Sequence, residues 1–136
     1  MRTPGEPPPP GAWVFREGKH KPIDVLREDA ESDRDHRQLD GTWDGQYHLS
    51  VFARPLEPGE EAEACVGELF EGYRQVKWFL CARLEAITAA GFSLAASPPE
   101  PYHYDVLLGT ELTDSVLVAF DGCLEAEPRR SRPWRR

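Results

Sequence analysis

Residues 60–90 read EEAEACVGELFEGYRQVKWFLCARLEAITAA, and the reading of this stretch decides the fold expected for the whole chain. Ala62, Val66, Leu69, Tyr73, Val76, Leu80, Leu84 and Ile87 recur at intervals of three and four, the spacing that lines one face of an α-helix. Glu60, Glu61 and Glu63 fall in the first turn, where the positive end of the helix dipole favours carboxylates. Gly91 stands where a left-handed residue would close the helix. Gly67 and Gly72 each cost about 1 kcal/mol relative to alanine, which predicts a bend or a close contact near Gly72. The stretch therefore predicts one amphipathic helix of roughly eight turns.

Strand patterns flank it. Tyr47, Leu49, Val51 and Ala53 alternate with His48, Ser50 and Phe52, a period of two that predicts a strand from Gln46, ended by Pro55 and Pro58-Gly59. Downstream, residues 92–97, 102–108, 115–120 and 123–127 read as four short strands. Asp121-Gly122 supplies the positive φ of a two-residue hairpin turn, and Pro128 stops pairing. Hairpin-length connections make such a sheet antiparallel, and the helix must cover one of its faces. The expected fold is α+β: one long helix packed on an antiparallel sheet of about five strands, in the order β-α-β-β-β-β. This order resembles the cystatin-like layout in topology only, and no motif of that family is present.

The N-terminal third reads differently. Residues 1–11, MRTPGEPPPPG, form a Pro-rich arm, and residues 12–16, AWVFR, add a strand or pin Trp13 and Phe15 to the body. Residues 22–30 make one or two helical turns with Pro22 at N1, and the polar run 31–45 reads as loop or linker. The expected organisation is a Pro-rich and acidic arm or linker at 1–45, partly disordered or packed as an accessory, an α+β domain at 46–128, and an Arg-rich tail at 129–136. Residues 1–10 hold no apolar core of a secretory signal, and no apolar run approaches the ~18–20 residues of a membrane span.

Charge is polarised along the chain. The net charge is −8, but Arg129, Arg130, Arg132, Arg135 and Arg136 lie together in the tail, so residues 1–128 carry −13. Such acidity argues against non-specific binding to nucleic acid or anionic membrane. The tail is a solubilising end or an electrostatic arm for an acidic partner, RNA and DNA included. Glu28, Asp29, Glu31, Asp33 and Asp35 form a second charged block, of the kind that is usually solvated and mobile. Arginine outnumbers lysine 13 to 3, which reads as a GC-rich bacterial genome. Cys65, Cys81 and Cys123 have no CxxC spacing. On a single helix the first two would lie ~24 Å apart, beyond disulfide reach, which predicts reduced thiols and a cytoplasmic setting.

Two groups of residues are candidates for a site. His103 and Asp105 share one side of the strand 102–108, and His48 on another strand could join them as a metal site or a base with its orienting carboxylate. Asp121 is a further carboxylate, more simply a turn residue. On the back of the long helix, Glu71, Arg74, Trp78, Ala82, Glu85 and Ala89 cluster, with Trp78 ~160° from Leu80. A Trp four residues after an Arg is a pairing enriched at protein–protein contacts, and a homodimer through this face is one form of it. Alternatively Trp13 and Phe15 cover Trp78, or Arg74 stacks on it. No nucleotide, metal or nucleophile motif is present, so no cofactor or metal is expected.

The leading expectation is a small acidic protein-binding domain of the immunity-protein, antitoxin, inhibitor or adaptor type, with a basic protein as partner. The alternative is a small enzyme or ligand-binding domain with its pocket between the long helix and the sheet, lined by Tyr47, Tyr73, Tyr102 and Tyr104. A third reading is a nucleic-acid-associated protein using the Arg tail.

Overall fold

The computed structural model describes residues 7–18, 22–69, 78–97 and 102–128. Its elements are β1 (Trp13–Glu17), α1 (Ile23–Asp40), β2 (Tyr47–Arg54), α2 (Ala62–Leu69), β3 (Trp78–Arg83), α3 (Leu84–Ala89), β4 (Ser93–Ala96), β5 (His103–Gly109), α4 (Asp114–Gly122) and β6 (Glu125–Pro128). The strands form one six-stranded sheet in the order β4-β5-β2-β1-β3-β6, with every neighbouring pair antiparallel. Helices pack on this sheet, so the class is α+β, but the β-α-β-β-β-β order and its cystatin-like layout are not what the chain adopts.

Residues 60–90 are not one helix. Among the described residues of this stretch, α2 occupies its start, β3 runs from Trp78 to Arg83, and α3 follows at once. Phe79, Leu80, Cys81 and Ala82 are all buried. A strand whose two faces are both covered has no polar side, so it presents a continuous apolar run. Leu80 and Leu84 fit a helical spacing only when Phe79, Cys81 and Ala82 are passed over. Alternation assigns Leu80 and Ala82 to one core and Phe79 and Cys81 to the other.

The first core lies between the sheet and α1, α3 and α4. Val14, Val51, Leu80 and Val106 from the strands meet Leu26, Ala30, Ile87, Leu117 and Phe120 from the helices. The second core is smaller: Phe15, Phe79 and Cys81 meet Cys65 and Val66 of α2, with Phe15 and Phe79 edge-on at 6.2 Å. Each large apolar side chain fully withdrawn from water here contributes about 1.5–3 kcal/mol. Cys65 and Cys81, expected to lie far apart along a helix, thus share one core, both as free thiols.

Residues 12–18 and 22–40 belong to the folded body, which corrects the boundary expected at residue 46. β1 sits mid-sheet between β2 and β3, and α1 buries Leu26 and Ala30 in the first core. α1 also takes residues 31–40 of the stretch expected as loop or linker at 31–45. Pro22 is its N-cap rather than N1, and Gly41, at φ 79°, ends it in the left-handed conformation that glycine adopts freely. The strand predicted at 115–120 is a helix as well. Thr113 caps α4, its hydroxyl accepting from the Val116 N–H at 3.2 Å, and Asp121-Gly122 form its last turn instead of a hairpin. No described helix is long and apolar enough to cross a membrane.

Candidate functional site

β2 and β5 are hydrogen-bonded neighbours in which His48 pairs with Leu107, Ser50 with Asp105 and Phe52 with His103. Leu49, Val51, Tyr104 and Val106 point into the first core, so the alternate positions His48, Ser50, His103 and Asp105 lie on the other side of the sheet. The three residues predicted as a site are therefore on one side, but in two separate pairs.

The first pair is buried. His48 Nδ1 lies 3.3 Å from Asp105 Oδ2, and its Nε2 lies 3.0 Å from Asp44 Oδ2. Asp105 also accepts from Arg37 Nη2 at 2.8 Å, and Arg37 Nε donates to Asp33 at 2.7 Å. His48 and Asp105 are 4% and 6% exposed, so the centre of this polar network is held out of water. α1 delivers Arg37. Asp33 and Arg37, at i and i+4, continue the inward stripe of Ile23, Leu26 and Ala30 with ionic groups. The β1–β2 register covers only Phe52 to Arg54 of β2, so among the described residues, positions 47–51 have no strand on that side. Arg16 meets that edge, donating from Nη1 to the Ser50 carbonyl at 3.0 Å and from Nη2 to Asp29 of α1 at 3.0 Å. The Asp44 carboxyl is held below its ordinary range, chiefly by the N–H of Gln46 and less by His48. With Asp44, Asp33 and Arg37 around them, His48 and Asp105 tie the end of α1 to the start of β2. Among the described residues no group of His, Cys, Asp and Glu is arranged to hold a metal ion.

The second pair is open. Ser50 is exposed, its hydroxyl lies against His103 Nε2, and His103 Nδ1 is 3.2 Å from the Ser97 carbonyl oxygen. The Phe52 ring lies 5.1 Å from the imidazole, tilted by 36°. Sequence reasoning passed over Ser50, although it shares the side of β2 that carries His48.

A further polar contact secures α2. Arg54, 5% exposed, donates to both carboxylate oxygens of Glu60 at 2.9 and 2.8 Å and to the Pro55 carbonyl. Arg54 holds the Glu60 carboxyl below its ordinary range. Cys65 lies near this cluster, and burial pushes its thiol up to about 12, which leaves it unreactive.

The predicted helix-back surface does not form. Glu71 and Arg74 lie outside the described residues, Trp78 opens β3, Ala82 is buried in the first core, and Glu85 is on α3 accepting from the Gly11 N–H at 3.1 Å. A strand break between Trp78 and Glu85 removes the shared helical face. Trp13 is covered by the Arg83 guanidinium, 4.8 Å from its ring centroid, rather than covering Trp78. The tail arginines Arg129, Arg130, Arg132, Arg135 and Arg136 and the pocket residue Tyr73 lie outside the described residues. Tyr104 is packed in the first core at 2% exposure, and Tyr47 packs against that core while accepting from Arg34 Nη1 at 3.0 Å.

The outer face of α1 is a surface that sequence reasoning placed in a linker. At 3.6 residues per turn, Asp24, Glu28, Glu31 and Asp35 fall within an arc of roughly 60°, opposite Leu26, Ala30 and Asp33. Asp24, Glu28 and Asp35 are exposed, Glu31 is half-buried, and Leu39, 87% exposed, continues the row toward the C-terminal end. Asp24, Glu28 and Glu31 form no ion pair among the described residues, and Asp35 pairs with Arg34 at 3.0 Å. α4 packs beside α1, joined by Arg27, which donates to the Leu112 carbonyl and to Asp114, and it presents Val118 at 53% exposure. No family model matches the chain, and no curated protein or solved structure matches it.

Proposed function

We propose that the chain is a protein-binding domain of the inhibitor or adaptor type, which recognises a basic protein through the outer face of α1 and its border with α4. The observation that carries this reading is the row Asp24, Glu28, Glu31 and Asp35, aligned on one side of a helix whose other side is fixed in the core. A rigid row of carboxylates with few internal partners keeps its field for an external one. Leu39 adds apolar contact near the row's end, and Val118 is exposed on the neighbouring α4. The −13 charge of residues 1–128 would attract a cationic partner and speed encounter, with strong dependence on salt.

The test is affinity isolation with the full chain and with a variant carrying Asp24→Lys, Glu28→Lys, Glu31→Lys and Asp35→Lys. Isolation at about 50 and about 500 mM salt brackets the range over which surface charges are screened. A basic protein retained by the native face at low salt, weakened at high salt and lost by the reversed face supports the reading. Retention of the same protein by both faces, or of no protein at either salt, contradicts it.

A further inference from the structure

Ser50 and His103 make an oriented pair on the side of β2 and β5 away from the first core. The Ser97 carbonyl oxygen, 3.2 Å from His103 Nδ1, can only accept a hydrogen bond, so the imidazole proton resides on Nδ1. Nε2 is then left with its lone pair, and the Ser50 hydroxyl beside it donates to that lone pair. This is the order of parts that activates a serine: hydroxyl, imidazole base, and an acceptor that fixes the tautomer. The backbone supports it, because Phe52 is the cross-strand partner of His103 and Ser50 lies two residues along the same side of β2. The Phe52 ring against the imidazole limits its rotation. Asp105, directly across from Ser50, is engaged by Arg37 and His48 and leaves the pair undisturbed.

We infer that Ser50 is an acyl-accepting nucleophile with His103 as its general base, in a site for small carboxylic esters. The Ser50 Oγ–acyl bond forms as the bond from the acyl carbon to the alcohol oxygen breaks. The hydroxyl proton passes to His103 Nε2 and then to the departing alkoxide. Water next adds to the acyl carbon, and its proton travels through Nε2 back to Ser50 Oγ as the carboxylic acid leaves. The sum is ester plus water to acid plus alcohol. The Ser97 carbonyl and the Phe52 ring are positioning groups for the imidazole.

The probe is p-nitrophenyl acetate, added to the full chain at neutral pH, with p-nitrophenolate followed by absorbance and the acetyl group located by peptide mass spectrometry. The expected result is acetylation at Ser50, absent in Ser50→Ala, whose exposed position leaves folding intact. His103→Gln lowers the acylation rate by about 10²–10⁴-fold, whereas His36→Gln, at an exposed helix position, leaves it unchanged. Acetylation at Cys123 or elsewhere instead of Ser50, an unchanged rate in Ser50→Ala, or no acetylation of the native chain overturns the inference.

Discussion

Replacing Phe120 by alanine and, separately, Val118 by lysine separates the two ways residues 114–122 can be read. On a strand, Val116, Val118 and Phe120 share one side. In α4 they do not: Phe120 and Leu117 are fully buried, while Val118 is 53% exposed. Phe120 meets Phe92 edge-on at 6.0 Å within the first core. Its removal leaves a cavity that the anchored helix cannot close, at a cost of about 3–5 kcal/mol, of which the ring pair supplies about 1. With an unfolding entropy of about 2.1 cal/mol/K per residue, that cost lowers the melting temperature of 136 residues by about 10–17 °C. Val118→Lys places an ammonium in water four residues after Asp114, which is neutral to mildly favourable, within about 0.5 kcal/mol or 2 °C. Thermal and urea unfolding followed by circular dichroism measure both. Comparable losses in the two variants would show Val118 to be buried and would refute the helix and the core built on it.

Other consequences follow from the buried polar groups. Asp105→Asn should cost about 2–4 kcal/mol in urea unfolding, because Arg37 and His48 lose a buried charged acceptor, whereas Asp114→Asn, at a pair with an exposed carboxylate, should cost less than about 1. Equal costs would deny the burial of the network. Glu60→Gln should destabilise the chain above about pH 5 by about 2 kcal/mol. Arg54 holds the folded carboxyl below its unfolded value, so this stability is complete above the unfolded pKa and is lost as pH falls through the folded one. The variant and native curves should therefore converge in acid, and a gap independent of pH contradicts the ion pair. Cys65, buried with its thiol pushed up to about 12, should resist a disulfide reagent until the chain is unfolded. Modification of Cys65 in the native state as fast as Cys123 contradicts its placement.

Legibility followed how the inward positions are filled. β2 and β5 alternate cleanly, so His103 and Asp105 share a side as their alternation implies, and only the strand register adds His48 to it. β3 has both faces covered, and its apolar run fits either period. The apolar pattern of α1 reads only as far as Ala30, because beyond it the inward positions are Asp33 and Arg37, whose reason for burial is Asp105, 68 residues away from Arg37. No local pattern records such a partner. α4 was hidden by the chance alternation of Val116, Val118 and Phe120 and by an Asp-Gly pair that ends a helix instead of joining strands. Of the open pair, His103 was nominated from its strand position, but Ser50 was not. A serine on a strand carries no signal until its cross-strand neighbour is known.

The row on α1 is the central claim, and association kinetics with the isolated basic partner test it most directly. With the native chain, the association rate constant should fall tenfold or more between about 20 and 500 mM salt, and the variant reversed at Asp24, Glu28, Glu31 and Asp35 should bind slowly at low salt, with little loss on adding more. Equal association rates for the native and reversed chains at low salt would contradict it.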